Sequence, residues 1–125
     1  MMQELSKAEE QLMELIWSGE KVFMKDLLES FPEPRPAPTT VATLLKRMQD
    51  KGFVGYTLFG NSRQYHALVK KNDYFSRRVK GMIRDSFGNS ALQFASFFTT
   101  ATQLSSAELE DLKKLVDREI KKKKK

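Results

Sequence analysis

The sequence predicts a mainly α chain. Its first half is a small three-helix domain closed by a β-hairpin, and its second half is a helical arm. Three observations carry that expectation. Apolar residues recur at helical spacing in three short segments before residue 52, the period then changes to two β-prone runs split by turn residues, and helical spacing returns from about Asn72.

The first helix opens at Ser6-Lys7-Ala8-Glu9, the spacing of a capping box. The serine hydroxyl can accept from the amide three residues on, and the carboxylate can reach back to the serine amide. Leu5, Ala8, Leu12, Leu15 and Ile16 follow at helical spacing, with Met13 and Trp17 beside them, and Gly19 is a stop signal. Glu9, Glu10 and Glu14 are expected outward, which turns this helix away from any polyanion. A second helix is expected over Val22 to Phe31, with Met24, Leu27, Leu28 and Phe31 as its buried stripe and Pro32 at its end. The stretch Pro32-Glu33-Pro34-Arg35-Pro36-Ala37-Pro38 cannot be helical, because proline lacks the amide donor and pushes the residue before it out of the helical region. It is either a flexible linker or a stiff turn between packed helices. The turn fits better, since neither flank is large enough to fold alone.

Pro38 suits the first turn of a third helix over Thr39 to Lys51, ended by Gly52. Val41, Leu44, Leu45 and Met48 form its core face, while Thr39, Thr43, Lys46, Arg47 and Asp50 point elsewhere. Phe53 to Leu58 and Arg63 to Leu68 are then two strands of a hairpin around Phe59-Gly60-Asn61-Ser62. In the arm, Tyr74, Phe75, Val79, Met82, Ile83 and Phe87 share a helical face broken near Gly88. Ala91, Leu92, Phe94, Ala95, Phe97 and Phe98 make a shorter apolar helix. Ser105-Ser106-Ala107-Glu108 repeats the capping-box spacing and opens a last helix with Leu109, Leu112, Leu115, Val116 and Ile120. The expected organisation is a domain over 1–71, a helical dimerisation domain over 72–120 and a disordered lysine tail over 121–125.

Composition narrows the functions. Cysteine is absent, so disulfides, thiolate metal sites and cysteine nucleophiles are excluded. No apolar run approaches the ~18 residues of a membrane span. Met1-Met2-Gln3-Glu4-Leu5-Ser6 has neither the basic start nor the apolar centre of a signal peptide, so a soluble cytoplasmic protein without membrane insertion is expected. His66 stands alone in a strand, a surface or packing histidine rather than a metal ligand. Asp26, Glu29 and Glu33 have no nucleophile, phosphate loop or metal motif beside them, so neither an enzyme nor a cofactor is expected. The net charge of +6 suggests an acidic partner, but residues 1–69 hold eight Lys/Arg against nine acids. The excess comes from Lys70 to Arg84 and from Lys121 to Lys125. The terminal lysines could touch phosphates through counterion release, although a solvated tail is the simpler reading.

Helix, helix, helix, hairpin is the order of a winged helix-turn-helix domain, in which the third helix enters the major groove and the hairpin, the wing, lies along the backbone. The expected partner is double-stranded DNA. On the third helix Thr39, Thr40 and Thr43 can touch base edges or thymine methyls, and Lys46 and Arg47 can reach guanine or phosphate. Asn61, Ser62 and Arg63 would meet phosphates from the wing.

Two motifs sharpen this. Leu5-Ser6-x-Ala8-Glu9-x-x-Leu12-Met13-x-x-Ile16-Trp17 resembles the opening of the penicillinase repressor and methicillin-resistance repressor (BlaI/MecI) family. Pro34-x-Pro36-x-x-x-Thr40-Val41-x-Thr43-x-Leu45-x-Arg47-Met48-x-x-Lys51-Gly52-Phe53-Val54 resembles that family's recognition helix and first wing strand, and the similarity continues through Tyr56, Gly60 and Tyr65. It resumes weakly at Ser96-Phe97-Phe98 and at Leu104-Ser105-x-x-Glu108-Leu109. The resemblance implies a repressor acting in antibiotic resistance, a homodimer on a dyad-symmetric operator, and induction by proteolysis through a membrane sensor metallopeptidase or a protease it activates. The family's copper-sensing branch uses C-terminal cysteine pairs, which this chain lacks. Relatives of the drug-sensing branch are cut between an Asn and a Phe near the start of the arm. The corresponding Ala95-Ser96-Phe97-Phe98-Thr99 has no Asn and would offer the Ser96–Phe97 bond.

The arm's apolar residues admit two readings. Phe87, Phe94, Phe97 and Phe98 could line a ligand pocket, which would make the chain a ligand-responsive drug-sensing repressor. Alternatively, with Leu109, Leu112, Val116 and Ile120, they bury against a second copy. The second is favoured, because two or three helices cannot hide so many aromatics within one chain.

Overall fold

The computed structural model of the chain describes residues 4–124. Met1-Met2-Gln3, where the expectation about a signal peptide begins, and Lys125, the last of the lysine run, lie outside the described residues. The elements follow in the order α1 (Lys7–Gly19), β1 (Lys21–Phe23), α2 (Met24–Ser30), α3 (Pro38–Asp50), β2 (Val54–Phe59), β3 (Ser62–Ala67), α4 (Lys71–Ser86), α5 (Ala91–Ala101) and α6 (Ser106–Lys123). The chain forms two compact units that divide between Ser76 and Arg77, inside α4.

The first unit has one core. Leu12, Met13 and Ile16 of α1, Leu27 of α2, Val41, Leu45 and Met48 of α3, Phe53 and Val54 at the start of the wing, Tyr65 of β3 and Tyr74 of α4 are all buried in it. Tyr74 belongs here rather than to the arm. Its ring stands edge-on to Phe53 at 5.5 Å and tilted against Trp17 at 5.9 Å, and its hydroxyl donates to Glu10. The Trp17 indole N–H donates to the carbonyl of Val69 at 2.9 Å, which fastens the connection between wing and α4 to α1.

The expected second helix begins later than its apolar pattern suggests. Lys21–Phe23 is a strand, paired antiparallel with β3 in the register Lys21↔His66, Val22↔Tyr65 and Phe23↔Gln64. The hairpin offers an open strand edge, and Val22 and Phe23 are residues that fit one. The helix starts at Met24, where the Asp26 carboxylate accepts from the Phe23 amide at 2.9 Å. The sheet order is β1-β3-β2, so β3 is central. The wing turns through the two-residue loop Gly60-Asn61, since Phe59 pairs with Ser62. Gly60 has φ 62°, the left-handed region that such tight hairpins demand at their first loop position. Gly52 has φ 84° and lets the chain leave α3 sharply into β2.

Glu9 corrects another expectation. It is not outward but buried, 1% exposed. Its Oε1 accepts from the Lys51 ammonium at 2.7 Å and from the Ser6 amide at 2.7 Å, and the Ser6 hydroxyl accepts from the Glu9 amide, which completes the predicted capping box. The Lys51 ammonium also donates to the carbonyl of Glu4 at 3.1 Å. Burial pushes the Glu9 carboxyl up, but the Lys51 and Ser6 hydrogen bonds outweigh it and hold the pKa below the ordinary 4.5. The start of α1 and the end of α3 are thereby pinned together.

In the second unit, Ser90 caps α5 by accepting from the Gln93 amide, and Ser105 with Glu108 forms the predicted capping box of α6. The lysine run does not begin a tail at Lys121. The helix α6 continues through Lys123, and lysines in a last turn complement the negative end of the helix dipole. Neither α5 nor α6 buries a single residue. No described helix is long and apolar enough to cross a membrane.

Candidate nucleic-acid interface

The helix α3 separates its two faces by the 3.6-residue period. At about 100° per residue, Thr39, Thr40, Thr43, Lys46 and Arg47 fall within roughly a 120° arc, opposite the Val41, Leu45 and Met48 stripe. All five are exposed. Among the described residues, no acid forms an ion pair with Lys46 or Arg47. Their charges face solvent together with three threonines. The Thr43 hydroxyl donates back to the carbonyl of Thr39 at 3.0 Å. Its proton is used within the helix, so Thr43 presents a methyl group and an acceptor oxygen.

On the wing the three predicted residues do not form one patch. Asn61 lies in the loop, while Ser62 and Arg63 are successive residues of β3 and point to opposite faces of the hairpin. All three are exposed. The register Leu58↔Arg63 and Tyr56↔Tyr65 puts Arg63 on the face of Tyr56, and its guanidinium carbon lies 4.3 Å above the Tyr56 ring centre. Tyr56 carries part of the site's geometry, and only the strand register, fixed by the Gly60-Asn61 turn, could have pointed to it.

In the second unit Phe87 stands 5.5 Å from Phe94 and 5.3 Å from Phe97, and Phe94 stacks on Phe98 at 6.3 Å. These aromatics meet one another, but water still reaches them. Phe97 is 57% exposed, and Phe98, Leu109, Val116 and Ile120 are exposed as well, while Phe87, Phe94 and Leu112 are half-buried. Ser96 and Phe97 lie in the middle of α5, and the Ser96 carbonyl accepts from the hydroxyls of Thr99 and Thr100. Among the described residues no cluster of three or more His, Cys, Asp or Glu could hold a metal ion.

The profile of the penicillinase repressor family matches residues 5–118. The chain belongs to that family. Its helices and small antiparallel sheet are accordingly a winged helix followed by a helical arm, and family membership makes it a repressor-type protein rather than an enzyme. Among its relatives is the methicillin resistance regulatory protein MecI of Mammaliicoccus sciuri, 26% identical over 92% of this chain and 94% of the relative. The protein of the same name from Staphylococcus aureus strain N315 is 25% identical over the same shares. The solution structure of the DNA-binding domain of the repressor BlaI superposes with a TM-score of 0.53 at 23% identity, covering 59% of this chain and 92% of that one. That likeness concerns the fold, and it extends over about the length of the first unit.

Proposed function

We propose that this chain represses transcription by binding a dyad-symmetric operator in double-stranded DNA as a homodimer. In this reading α3 enters the major groove, Thr39, Thr40, Thr43, Lys46 and Arg47 face the base edges and flanking phosphates, and Asn61, Ser62 and Arg63 meet the backbone from the wing. The observation that carries it is the exposed polar face of α3, with three threonines and two cations with which no acid among the described residues pairs, in a chain of the penicillinase repressor family.

The dimer rests on a different observation. The second unit leaves Phe97, Phe98, Leu109, Val116 and Ile120 exposed, and a surface of that kind calls for a partner. A second copy of the same surface, related by a two-fold axis, is the simplest. Two linked reading helices bind more tightly than one through effective concentration. Signal-dependent cleavage at Ser96–Phe97, by a sensor metallopeptidase or a protease it activates, would separate the reading unit from α6. Proteases bind extended chain, so α5 must open locally before that bond can be cut. Mass spectrometry of the protein from derepressed cells tests this step: a fragment ending at Ser96 is expected, and an intact chain during full derepression contradicts it. DNA binding itself is tested by titrating a duplex selected from a random pool with the wild type and with Lys46→Ala/Arg47→Ala. A marked loss in the double variant is expected. Equal affinity and an equal salt dependence would remove α3 from the interface.

A further inference from the structure

Val54, Tyr56 and Leu58 share one face of the wing with Arg63, Tyr65 and Ala67. At the base of this face Val54 and Tyr65 are buried in the core of the first unit, whereas near the loop Leu58 and Arg63 are exposed. Tyr56 lies between. Its ring stands 6.0 Å from that of Tyr65, its direct cross-strand partner, and the Arg63 guanidinium covers it from the diagonal position. Tyr65, Tyr56 and Arg63 thus form a row that runs from the core towards the tip of the hairpin. An arginine on an exposed hairpin ordinarily samples many rotamers. Here one planar face is taken up by an aromatic ring, and no carboxylate among the described residues pairs with the group. A cation–π contact uses the face of the guanidinium and leaves its N–H edge open, which is the edge that takes a phosphate in the bidentate manner. A salt bridge would have occupied that edge.

We propose that Tyr56 is a positioning residue of the DNA interface, anchored on buried Tyr65 and holding the Arg63 guanidinium so that its N–H edge is preset for a backbone phosphate. The proposal rests on the DNA-binding reading given above. The test uses the intact protein and the selected duplex, with affinity measured across a range of salt concentrations. Tyr56→Leu is expected to weaken binding by about two- to five-fold, the size of an exposed cation–π contact converted to affinity. Tyr56→Phe keeps the ring face and is expected to bind like the wild type. In Arg63→Ala the ring has nothing to hold, so adding Tyr56→Leu to it is expected to cost nothing further. Thermal melting of each variant reports the fold separately, and Tyr56→Phe binding as weakly as Tyr56→Leu at equal melting temperature would overturn the proposal. So would losses from Tyr56→Leu and Arg63→Ala that multiply in the double variant. If Arg63→Ala weakens binding and Tyr56→Leu does not, only the role of Tyr56 falls. If Arg63→Ala binds as the wild type does, the wing's phosphate contact falls and the role of Tyr56 with it.

Discussion

The two units of this chain solve the same problem, covering apolar surface, in opposite ways. In the first, three short helices and the base of a hairpin bury Leu12, Met13, Ile16, Leu45, Met48 and Phe53 almost completely, and the polar face of α3 stays exposed. In the second, α5 and α6 bury nothing, although α5 is rich in phenylalanine and α6 carries an apolar stripe along an otherwise charged helix. The difference lies in layers. A helix hides its apolar stripe only against a second element, and the first unit supplies sheet and helices for each other. The second unit gathers Phe87, Phe94, Phe97 and Phe98 into one small cluster, and Leu109, Leu115, Val116 and Ile120 of α6 stay exposed. The first unit has a buried core of its own, whereas the second leaves the cover of its apolar surface to the proposed second copy.

Removing the proposed partner surface is the strongest way to break this contrast. Leu109→Asp/Val116→Asp places two carboxylates on the exposed stripe of α6 while leaving the first unit untouched. The variant is expected to sediment as a monomer and to lose about 100-fold or more in operator affinity, because the second reading helix no longer binds intramolecularly. A variant that stays dimeric would move the interface elsewhere on the chain. Next in size is the reading face. Lys46→Ala/Arg47→Ala is expected to cost about 10- to 100-fold, with relaxed sequence preference for a lost base contact and a salt slope lower by about one for each lost phosphate contact. Its oligomeric state should not change, which sharpens the division of labour between the units.

The pin between α1 and α3 tests what holds the first unit together. Lys51→Met leaves the Glu9 carboxylate buried without its cation and is expected to destabilise the fold by about 3 kcal/mol, read from chemical denaturation at neutral pH. The pH dependence follows from the lowered pKa of Glu9. Its contribution is fully present above about pH 4.5, the ordinary value, and is lost as pH falls through the lower folded value. Glu9→Gln should flatten that part of the acid limb, and an unchanged limb would show that Glu9 is not its source. The smallest effect belongs to the wing. Arg63→Ala should weaken binding about equally on all duplexes, since a phosphate contact carries no base information, and a loss confined to one base position would show that Arg63 reads sequence.

Much of this was legible in the sequence for a physical reason. Periodicity reports which face of a helix is buried, so the core stripes of α1 and α3 and the exposed set Thr39, Thr40, Thr43, Lys46 and Arg47 could be read directly. Both capping boxes were equally local, four residues each. What escaped depends on residues far apart in the chain. The strand β1 exists because the hairpin offers it an edge more than forty residues on, and three residues are too few to show a period. Glu9 looks like any surface acid until Lys51 arrives 42 residues later. The seat of Arg63 on Tyr56 needs the strand register, and Tyr74 joins the first core only because α4 packs its first turn against Trp17 and Phe53.

In the proposed function a DNA-reading unit is made effective by an arm that joins two copies. Selection of bound duplexes from a fully random pool by the intact protein, followed by sequencing, tests it most directly. The expected result is a dyad-symmetric site whose half-sites are centred about one helical turn, roughly 10 base pairs, or a whole multiple of it apart. Enrichment of a single asymmetric half-site at full affinity, or no enrichment over the starting pool, would contradict it.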